Sequence, residues 1–354
     1  MRWYIKKNTY FEGADIDNLL LLFYNMNERI DKMKKNLRYY NRIDEIEDIN
    51  ILSDLVCNEY QLGSIKETHV IEIGYEDFNA IITTSTGKYL MKVFRNSRSD
   101  EEVEQCIDRS YIAMQNNVKT PKVYKNLEGN IVTIINYLNS RFRVSVIEYI
   151  DGNNFFDLNR KPTLDELMKI VDIGSNLNKI DYKPNFIYDT WAITSFCEEF
   201  EKKKKYLEEK YLKIVEPIYN RFKKFDYDKL PKAFVHGDMM STNLMLDRNN
   251  DIWVIDFSVS NYTARLNEIV VICDDVALIP NDKEESEKRI TKAFDEWCRK
   301  VKATEFEKQS FQMLFDVANA INVLNPIYEL ETGNDSDETK MHLNAGLFAL
   351  TLFK

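Results

Sequence analysis

Two stretches of this sequence decide its fold: FVHGDMMSTN at residues 234–243 and IWVIDF at residues 252–257. Asp238 and Asn243 stand in a loop that follows an apolar strand, and Asp256 comes after a second apolar strand. The polar segment between the two stretches predicts a turn. We therefore expect a tight hairpin that brings Asn243 and Asp256 together at one end.

The three polar side chains of these stretches suit phosphate chemistry assisted by a divalent cation. Carboxylate and amide oxygens are the hard ligands that Mg²⁺ prefers, and Asp256 and Asn243 supply one of each. Asp238 then remains to accept a proton from a hydroxyl nucleophile. The pattern predicts a metal-assisted transfer site with a carboxylate base.

The spacing HGDxxxxN followed by Ile-Asp-Phe resembles the catalytic segments of the aminoglycoside phosphotransferase and choline kinase-like superfamily, which includes homoserine kinases and spore-coat kinase-like proteins. This resemblance implies an α+β, protein-kinase-like two-lobed fold. The small N-lobe would hold an antiparallel sheet with one helix, and the larger C-lobe would be mainly helical. It also implies ATP and Mg²⁺ as cofactors and a small hydroxylated molecule as the acceptor.

The resemblance assigns a role to each matching position. Asp238 would be the catalytic base that orients and deprotonates the acceptor hydroxyl, and Asn243 and Asp256 would hold Mg²⁺ on the nucleotide phosphates. His236 is expected to support the loop through hydrogen bonds, without a chemical step of its own. Glu268, near the place where relatives often have an Asp-Leu-Ala stretch, is expected to stabilise this loop rather than to line the acceptor pocket.

The order of predicted elements agrees with such a fold. Apolar patterns predict strands at residues 69–73, 79–84, 88–94, 131–137 and 143–150. Helices are predicted at residues 14–40, 100–115, 163–180, 190–225 and in long stretches after 283. We divide the chain into an N-terminal helical extension at 1–50, a nucleotide-binding N-lobe at 51–150, and a helical C-lobe at 151–354 with the catalytic loop and acceptor pocket.

Lys92 lies in an otherwise apolar predicted strand, where an unpaired ammonium group is costly to bury. Taken alone, a lysine that snorkels from an edge strand would explain it equally well. The resembling kinases use such a lysine for the α- and β-phosphates and pair it with a Glu on the following helix. Glu104 and Asp108 are the candidates here, one helical turn apart, and the register favours neither.

Two further segments are expected to contact the nucleotide. The predicted turn at residues 73–79 carries Gly74 and Asn79, and its single glycine suits the small-molecule branch better than the glycine-rich loops of protein kinases. The strand that ends near residue 150 resembles the hinge, where backbone groups of Glu148 and Ile150 would pair with the adenine edge. Ordinary turns are the alternative at both places.

Three departures argue against a protein substrate. Gly237 stands where protein kinases usually carry an Arg that pairs with a phosphorylated activation loop. Ser258 replaces the usual Gly after Phe257, and no Ala-Pro-Glu follows. We therefore expect a small-molecule kinase. The alternative is a non-catalytic kinase-fold protein, such as a spore-coat-associated pseudokinase, and the intact Lys, Asp, Asn and Asp set argues against it.

The helical region after residue 163 is expected to build the acceptor pocket. Candidate pocket residues are aromatic or acidic: Tyr188, Trp191, Tyr262, Asp274 and Asp275. Such a pocket would suit an ammonium group through cation–π and charge contacts. The expected acceptors are an amino alcohol, an aminoglycoside, homoserine or a sugar, and the oligomeric state is left open.

Composition argues against several other classes. With 354 residues and a net charge of −10, the chain has no basic footprint for nucleic acid. Its five scattered cysteines contain no CxxC motif and predict free thiols in a reducing cytosol. The N-terminal stretch does not resemble a signal peptide, and no apolar run approaches the length of a membrane span. We expect a cytoplasmic protein that acts without a membrane.

Overall fold

The computed structural model describes residues 42–44, 46, 48–71 and 77–354. The helix predicted at residues 14–40 and the predicted nucleotide contact at Gly74 lie outside these residues. The chain divides into two compact units. The first contains the described residues up to Ser99 together with Lys125–Val146, and the second contains Asp100–Tyr124 and Ile147–Lys354.

The first unit contains a five-stranded sheet preceded by a helix. Its elements are α1 (Ile49–Tyr60), β1 (Ile65–Ile71), β2 (Phe78–Thr84), β3 (Lys88–Val93), β4 (Thr133–Tyr137) and β5 (Ser140–Glu148). The last two residues of β5 are assigned to the second unit. The five strands lie in the order β1–β2–β3–β5–β4. The pairs β1–β2, β2–β3 and β4–β5 are antiparallel.

Alternation along β2 and β3 separates a core face from a polar face. Phe78, Ala80, Met91 and Val93 are buried. They share one face of the sheet, because successive side chains of a strand point to opposite faces. Lys92 therefore lies on the other face of β3, and Asn79 of β2 is its direct partner in the register. The two residues that the sequence analysis singled out in these strands are thus cross-strand neighbours.

The second unit is mainly helical. Its helices are α2 (Asp100–Gln115), α3 (Leu164–Leu177), α4 (Phe196–Lys203), α5 (Glu209–Phe222), α6 (Leu266–Val271), α7 (Lys283–Val301), α8 (Glu305–Glu331) and α9 (Asp337–Ala349). Its short strands are β6 (Gly152–Asn154), β7 (Lys232–Val235), β8 (Leu244–Asp247), β9 (Ile252–Val254) and β10 (Asn261–Ala264). Helix α2 matches the predicted helix in its bounds and groups with this unit. The helix predicted at 190–225 is interrupted between α4 and α5.

The short strands position the catalytic loop. Strands β6, β8 and β9 form one antiparallel sheet, and β7 pairs with β10 in another. Gly152 is required at the start of β6, since a Cβ atom there would lie 2.3 Å from the carbonyl oxygen of Leu246 in β8. Beneath these strands, α7 and α8 contribute the fully buried residues Trp297 and Phe315 to the helical core.

The elements confirm the predicted α+β class, with an antiparallel N-terminal sheet and a mostly helical C-terminal region. All five cysteines are free thiols, as expected. In the part of the chain that the structure describes, no helix is both long and apolar enough to span a bilayer.

Candidate active site

The loop between β7 and β8 carries both Asp238 and Asn243. The Asn243 side-chain amide donates to Asp238 twice, to the carboxylate Oδ2 at 2.7 Å and to the backbone oxygen at 3.0 Å. Its amide nitrogen is thereby engaged within the loop, which leaves the amide oxygen as the group that a cation would use. The loop thus fixes the predicted base and one predicted metal ligand against each other.

Asp256 is brought to the same place by the predicted hairpin. Strands β8 and β9 pair so that Leu244 stands opposite Val254. The N–H of Ile255 extends this pairing by donating a hydrogen bond of 3.0 Å to the backbone oxygen of Asn243. Asp256 follows directly and adopts a positive φ of 61°, which is uncommon for a residue other than glycine. Its Oδ1 accepts a hydrogen bond from the N–H of Ser258 at 3.1 Å.

His236 is a buried structural residue of this loop. Its Nε2 lies 3.1 Å from the Ile255 oxygen, and its Nδ1 accepts a hydrogen bond from the N–H of Asp238 at 3.2 Å. This pair of contacts requires a neutral ring with the proton on Nε2. Burial lowers the pKa of His236 to about 4, so the ring remains neutral at physiological pH and supports the loop as the sequence analysis expects.

Glu268 stabilises the loop between β7 and β8 through a hydrogen bond to its backbone. This fully buried residue of α6 accepts a hydrogen bond from the backbone N–H of His236 at 2.7 Å. Burial raises the pKa of Glu268 to about 8. Gly174 of α3 makes room for it, because a Cβ atom there would lie 3.1 Å from the Glu268 Cγ. The structural role expected for Glu268 agrees with these contacts.

Asp275 fixes the middle of the same loop and was not assigned this role from the sequence. Its Oδ2 accepts hydrogen bonds from both the N–H and the hydroxyl of Ser241, and its Oδ1 lies 3.1 Å from the Lys161 ammonium. Burial opposes ionisation of Asp275, but Lys161 and the Ser241 hydrogen bonds outweigh it and lower the pKa. The residue lies in a π-helical turn at Ile272–Val276, a rare element found frequently at functional sites.

The surroundings of Asp238 shift its pKa. Burial, together with the nearby carboxylates of Asp256 and Asp189, raises the pKa of Asp238 to about 8. The hydrogen bond from Asn243 opposes this shift. A general base works best when its pKa lies near the operating pH. In the absence of a cation, this carboxyl group holds its proton near neutral pH.

The segment that carries Asp189 is tied to the segment after Asp256. The Asn261 side chain accepts from the N–H of Ile187 at 2.9 Å and donates to its oxygen at 2.8 Å. Arg109 of α2 is fully buried and donates to the oxygens of Ser260 at 2.9 Å and Asn185 at 2.8 Å. The guanidinium group therefore joins the segment before Asp189 to the segment after Asp256 within the second unit.

A cavity of about 500 Å³ opens beside this segment. Its walls include Tyr188, Trp191, Tyr206, Tyr328 and Glu199. Two of the predicted pocket residues, Tyr188 and Trp191, thus come together here. The other candidates lie elsewhere: Tyr262 is in β10, Asp275 supports Ser241, and Asp274 accepts a hydrogen bond from Asn322 at 2.8 Å.

In the first unit, Lys92 forms an ion pair that the sequence analysis missed. Its ammonium lies 3.2 Å from Oδ2 of Asp77, which immediately precedes β2. In the second unit, Glu104 is exposed on α2, and Asp108 accepts a hydrogen bond from the Tyr182 hydroxyl at 2.6 Å. A pairing of Lys92 with Glu104 or Asp108 stays a prediction.

The predicted hinge lies where β5 ends. The N–H of Glu148 donates to the Lys122 oxygen at 2.8 Å, and the Ile150 oxygen accepts from the N–H of Gly152 at 3.0 Å. These bonds engage one backbone group of each residue. The adenine contacts expected here would use the carbonyl of Glu148 and the N–H of Ile150, a pairing that stays a prediction.

Comparison with known proteins relates this site to phosphotransferases. Residues 67–297 match the family APH, described as a phosphotransferase enzyme family. A homoserine kinase of Methylobacillus flagellatus is 22% identical over 220 residues, which cover 61% of this chain and 65% of that protein. The match thus spans just under two thirds of the length of this curated relative.

Solved structures of small-molecule kinases share the fold. An amicoumacin kinase in complex with AMP-PNP, Ca²⁺ and Ami superposes with a TM-score of 0.62 at 13% identity, covering 86% of this chain and 93% of the other. An AMP-bound spectinomycin phosphotransferase superposes with a TM-score of 0.63 at 11% identity, covering 86% and 98%. The predicted protein-kinase-like fold is confirmed by these similarities.

Proposed function

This chain belongs to the APH phosphotransferase enzyme family, and we propose that it transfers the γ-phosphate of ATP to a hydroxyl group of a small molecule. The observation that carries the proposal is the junction of Asp238, Asn243 and Asp256 at the ends of β7, β8 and β9. The two proposed oxygen ligands, from Asn243 and Asp256, lie there beside the Asp238 carboxyl group, whose pKa is raised. Phosphoryl transfer asks a protein mainly for such positioning and charge neutralisation.

Asn243 and Asp256 would hold Mg²⁺. Among the described residues, no group of three or more His, Cys, Asp or Glu side chains is arranged to bind a metal by itself. One carboxylate and one amide oxygen still fit, because Mg²⁺ usually takes one or two carboxylates together with water and substrate phosphates. The bound ion would neutralise phosphate charge, and it would also favour the ionised form of nearby Asp238.

Asp238 would act as the base. The acceptor oxygen forms its bond to the γ-phosphorus while the bond from that phosphorus to the bridging β-phosphate oxygen breaks. The hydroxyl proton passes to the Asp238 carboxylate, and ADP leaves with the bonding electron pair. Base assistance of this kind typically contributes about 10²–10⁴ in rate. Asn243 would keep the carboxylate in line through its 2.7 Å hydrogen bond.

Lys92 and Asn79 would contact the nucleotide phosphates from the first unit. The two residues stand opposite each other in β2 and β3, so their side chains lie on one face of the sheet. Gly74 would allow the preceding turn to approach the phosphates, and Glu148 and Ile150 would pair with the adenine edge. Glu104 and Asp108 remain the acids predicted on α2.

The acceptor we propose carries an ammonium group, as an amino alcohol, an aminoglycoside or homoserine does. Asp189 adds negative charge near Asp238, and its neighbours Tyr188 and Trp191 line the adjacent cavity. Aromatic rings and carboxylates attract an organic cation. Lys202, Lys203 and Lys205 also line this cavity, so the proposal of a cationic acceptor rests on the charge of Asp189, and a sugar is the alternative acceptor.

A two-step experiment tests the proposal. Thermal unfolding is first followed with ATP, with and without Mg²⁺, and ATP consumption is then measured against a panel of hydroxylated amines and sugars. We expect stabilisation that requires Mg²⁺ and turnover on a cationic acceptor, both measured beside Asp238→Asn, which should bind nucleotide without turnover. Lack of stabilisation by any nucleotide would instead favour a non-catalytic kinase-fold protein.

A further inference from the structure

Lys92 has an acidic partner just before the neighbouring strand β2. We infer that Asp77 orients Lys92 toward the nucleotide phosphates. The inference rests on the proposed function, since it takes the phosphate-binding role of Lys92 as its premise. It assigns Asp77 as a positioning residue that acts through Lys92.

The pair lies where β2 begins. Asn79 stands directly opposite Lys92, and Asp77 immediately precedes the first residue of β2, Phe78. The Lys92 ammonium lies 3.2 Å from Asp77 Oδ2, with side-chain exposures of 17% and 1%. A shielded ion pair is screened by solvent and salt much less than one on the open surface.

Asp77 is itself held firmly from its other side. Its Oδ1 accepts hydrogen bonds from the N–H of Arg95 and from Nε of Arg98, both at 3.2 Å. Its backbone oxygen accepts a hydrogen bond from Arg42 at 3.1 Å. With Oδ1 committed to these donors, Oδ2 faces Lys92. A positioning residue must be fixed by contacts of its own in order to orient another residue, and Asp77 meets this condition.

The carboxylate is also charged at neutral pH. Burial alone would raise the pKa of Asp77, but Lys92 and Arg98 outweigh burial and lower the pKa. Lys92 and Arg98 both contact this ionised carboxylate, which holds the Lys92 ammonium in place for an anionic phosphate.

A double-mutant cycle tests the inference. Asp77→Asn, Lys92→Met and the double variant are compared in the full-length chain for affinity toward Mg-ATP and toward adenosine, which lacks phosphates. We expect each single change to weaken Mg-ATP binding about tenfold or more, with adenosine affinity unchanged. Because Asp77 acts through Lys92, the double variant should bind no worse than Lys92→Met.

Several outcomes would overturn the inference. Additive losses in the cycle or an equal loss of adenosine affinity would each contradict it while leaving the proposed function intact. Failure of the wild-type protein to bind Mg-ATP would overturn the proposed function and the inference together. If Asp77→Asn does not fold, Asp77→Glu is measured instead, and unchanged Mg-ATP affinity in that variant would also contradict the inference.

Discussion

The side-chain amide of Asn243 donates a hydrogen bond of 2.7 Å to the carboxylate of Asp238. This bond restricts the rotation of the carboxylate and turns the Asn243 oxygen away from the base. One residue would thus serve two tasks, since its nitrogen contacts Asp238 and its oxygen is the proposed cation ligand. The arrangement explains why an Asn, rather than a second Asp, suits this position.

Replacement of Asn243 is expected to impair turnover more than folding. Asn243→Ala removes both the proposed metal ligand and the hydrogen bond to Asp238, so we expect kcat to fall by about 10² or more. Asn243→Asp retains an oxygen ligand but loses the amide donor and adds a like charge, and we expect a smaller loss that excess Mg²⁺ partly restores. The measurement is kcat as a function of Mg²⁺ concentration. A kcat within twofold of wild type for Asn243→Ala would refute both roles.

Asp238 makes the stability of the nucleotide-free protein depend on pH. Its folded-state pKa of about 8 lies above the ordinary value of 3.8, so the folded protein holds this proton more tightly than the unfolded chain. The associated stabilisation is complete below about pH 4 and is lost as pH rises toward 8. Asp238→Asn cannot ionise and should therefore gain Tm relative to wild type as pH rises, by about 2 °C or more at pH 8.

Thermal unfolding at several pH values checks this expectation, with metal and nucleotide omitted. Asp251→Asn serves as the control, because that exposed carboxylate lies on the turn between β8 and β9 and its removal should leave the pH profile close to that of wild type. A constant Tm difference between Asp238→Asn and wild type from pH 5 to 8 would contradict the raised pKa.

Glu268 is expected to matter for the fold of the catalytic loop. Glu268→Ala would leave the buried N–H of His236 without its 2.7 Å acceptor, and an unsatisfied buried donor costs about 1–3 kcal/mol. Glu268→Gln keeps an oxygen at the same place and should retain most of the stability at pH 7. The free energy of unfolding from urea titration distinguishes the variants. Equal stability of the Ala and Gln variants would show that the hydrogen bond contributes little.

Arg109 links folding to the geometry of the acceptor side. Arg109→Met would leave the oxygens of Ser260 and Asn185 without their donor, and we expect a loss of at least about 2 kcal/mol in unfolding free energy. Arg109→Lys keeps the charge but cannot supply the planar fork of donors, so it should recover only part of the loss. In folded variants, the KM for the acceptor should rise more than the KM for ATP. An equal rise of both would contradict a role confined to the acceptor side.

Local patterns made much of the fold predictable. The bounds of α2, the strands around Lys92 and the β8–β9 hairpin follow from alternation, turn residues and helical periodicity. The resemblance carried by HGDxxxxN and Ile-Asp-Phe is confirmed by the family match. These features depend on residues close together in the chain, where sequence patterns are most informative.

The residues that support the site were harder to predict, because their contacts join distant positions. Asp275 binds Ser241, and Arg109 binds Ser260, across separations that no local pattern reveals. Asp77 was missed as well, because the sequence analysis placed residues 73–79 in a turn, where strand alternation assigns no face. The long helix predicted at 190–225 was wrong in one respect, because the chain turns between α4 and α5 and buries apolar residues on both sides.

Gly237 offers a test of backbone conformation in the catalytic loop. Its φ is 84°, and a Cβ atom there would have only ordinary contacts, 3.5 Å from the Val259 oxygen, so conformation rather than space demands glycine. Gly237→Ala should cost about 1 kcal/mol of stability and should displace the adjacent Asp238, lowering kcat more than tenfold. Gly129→Ala is the matched control, because Gly129 has a φ of 88° with nothing within 4 Å of an added Cβ. It should show a similar loss of stability in urea titration without loss of kcat. If the two variants lost activity equally, global destabilisation rather than displacement of the base would be responsible.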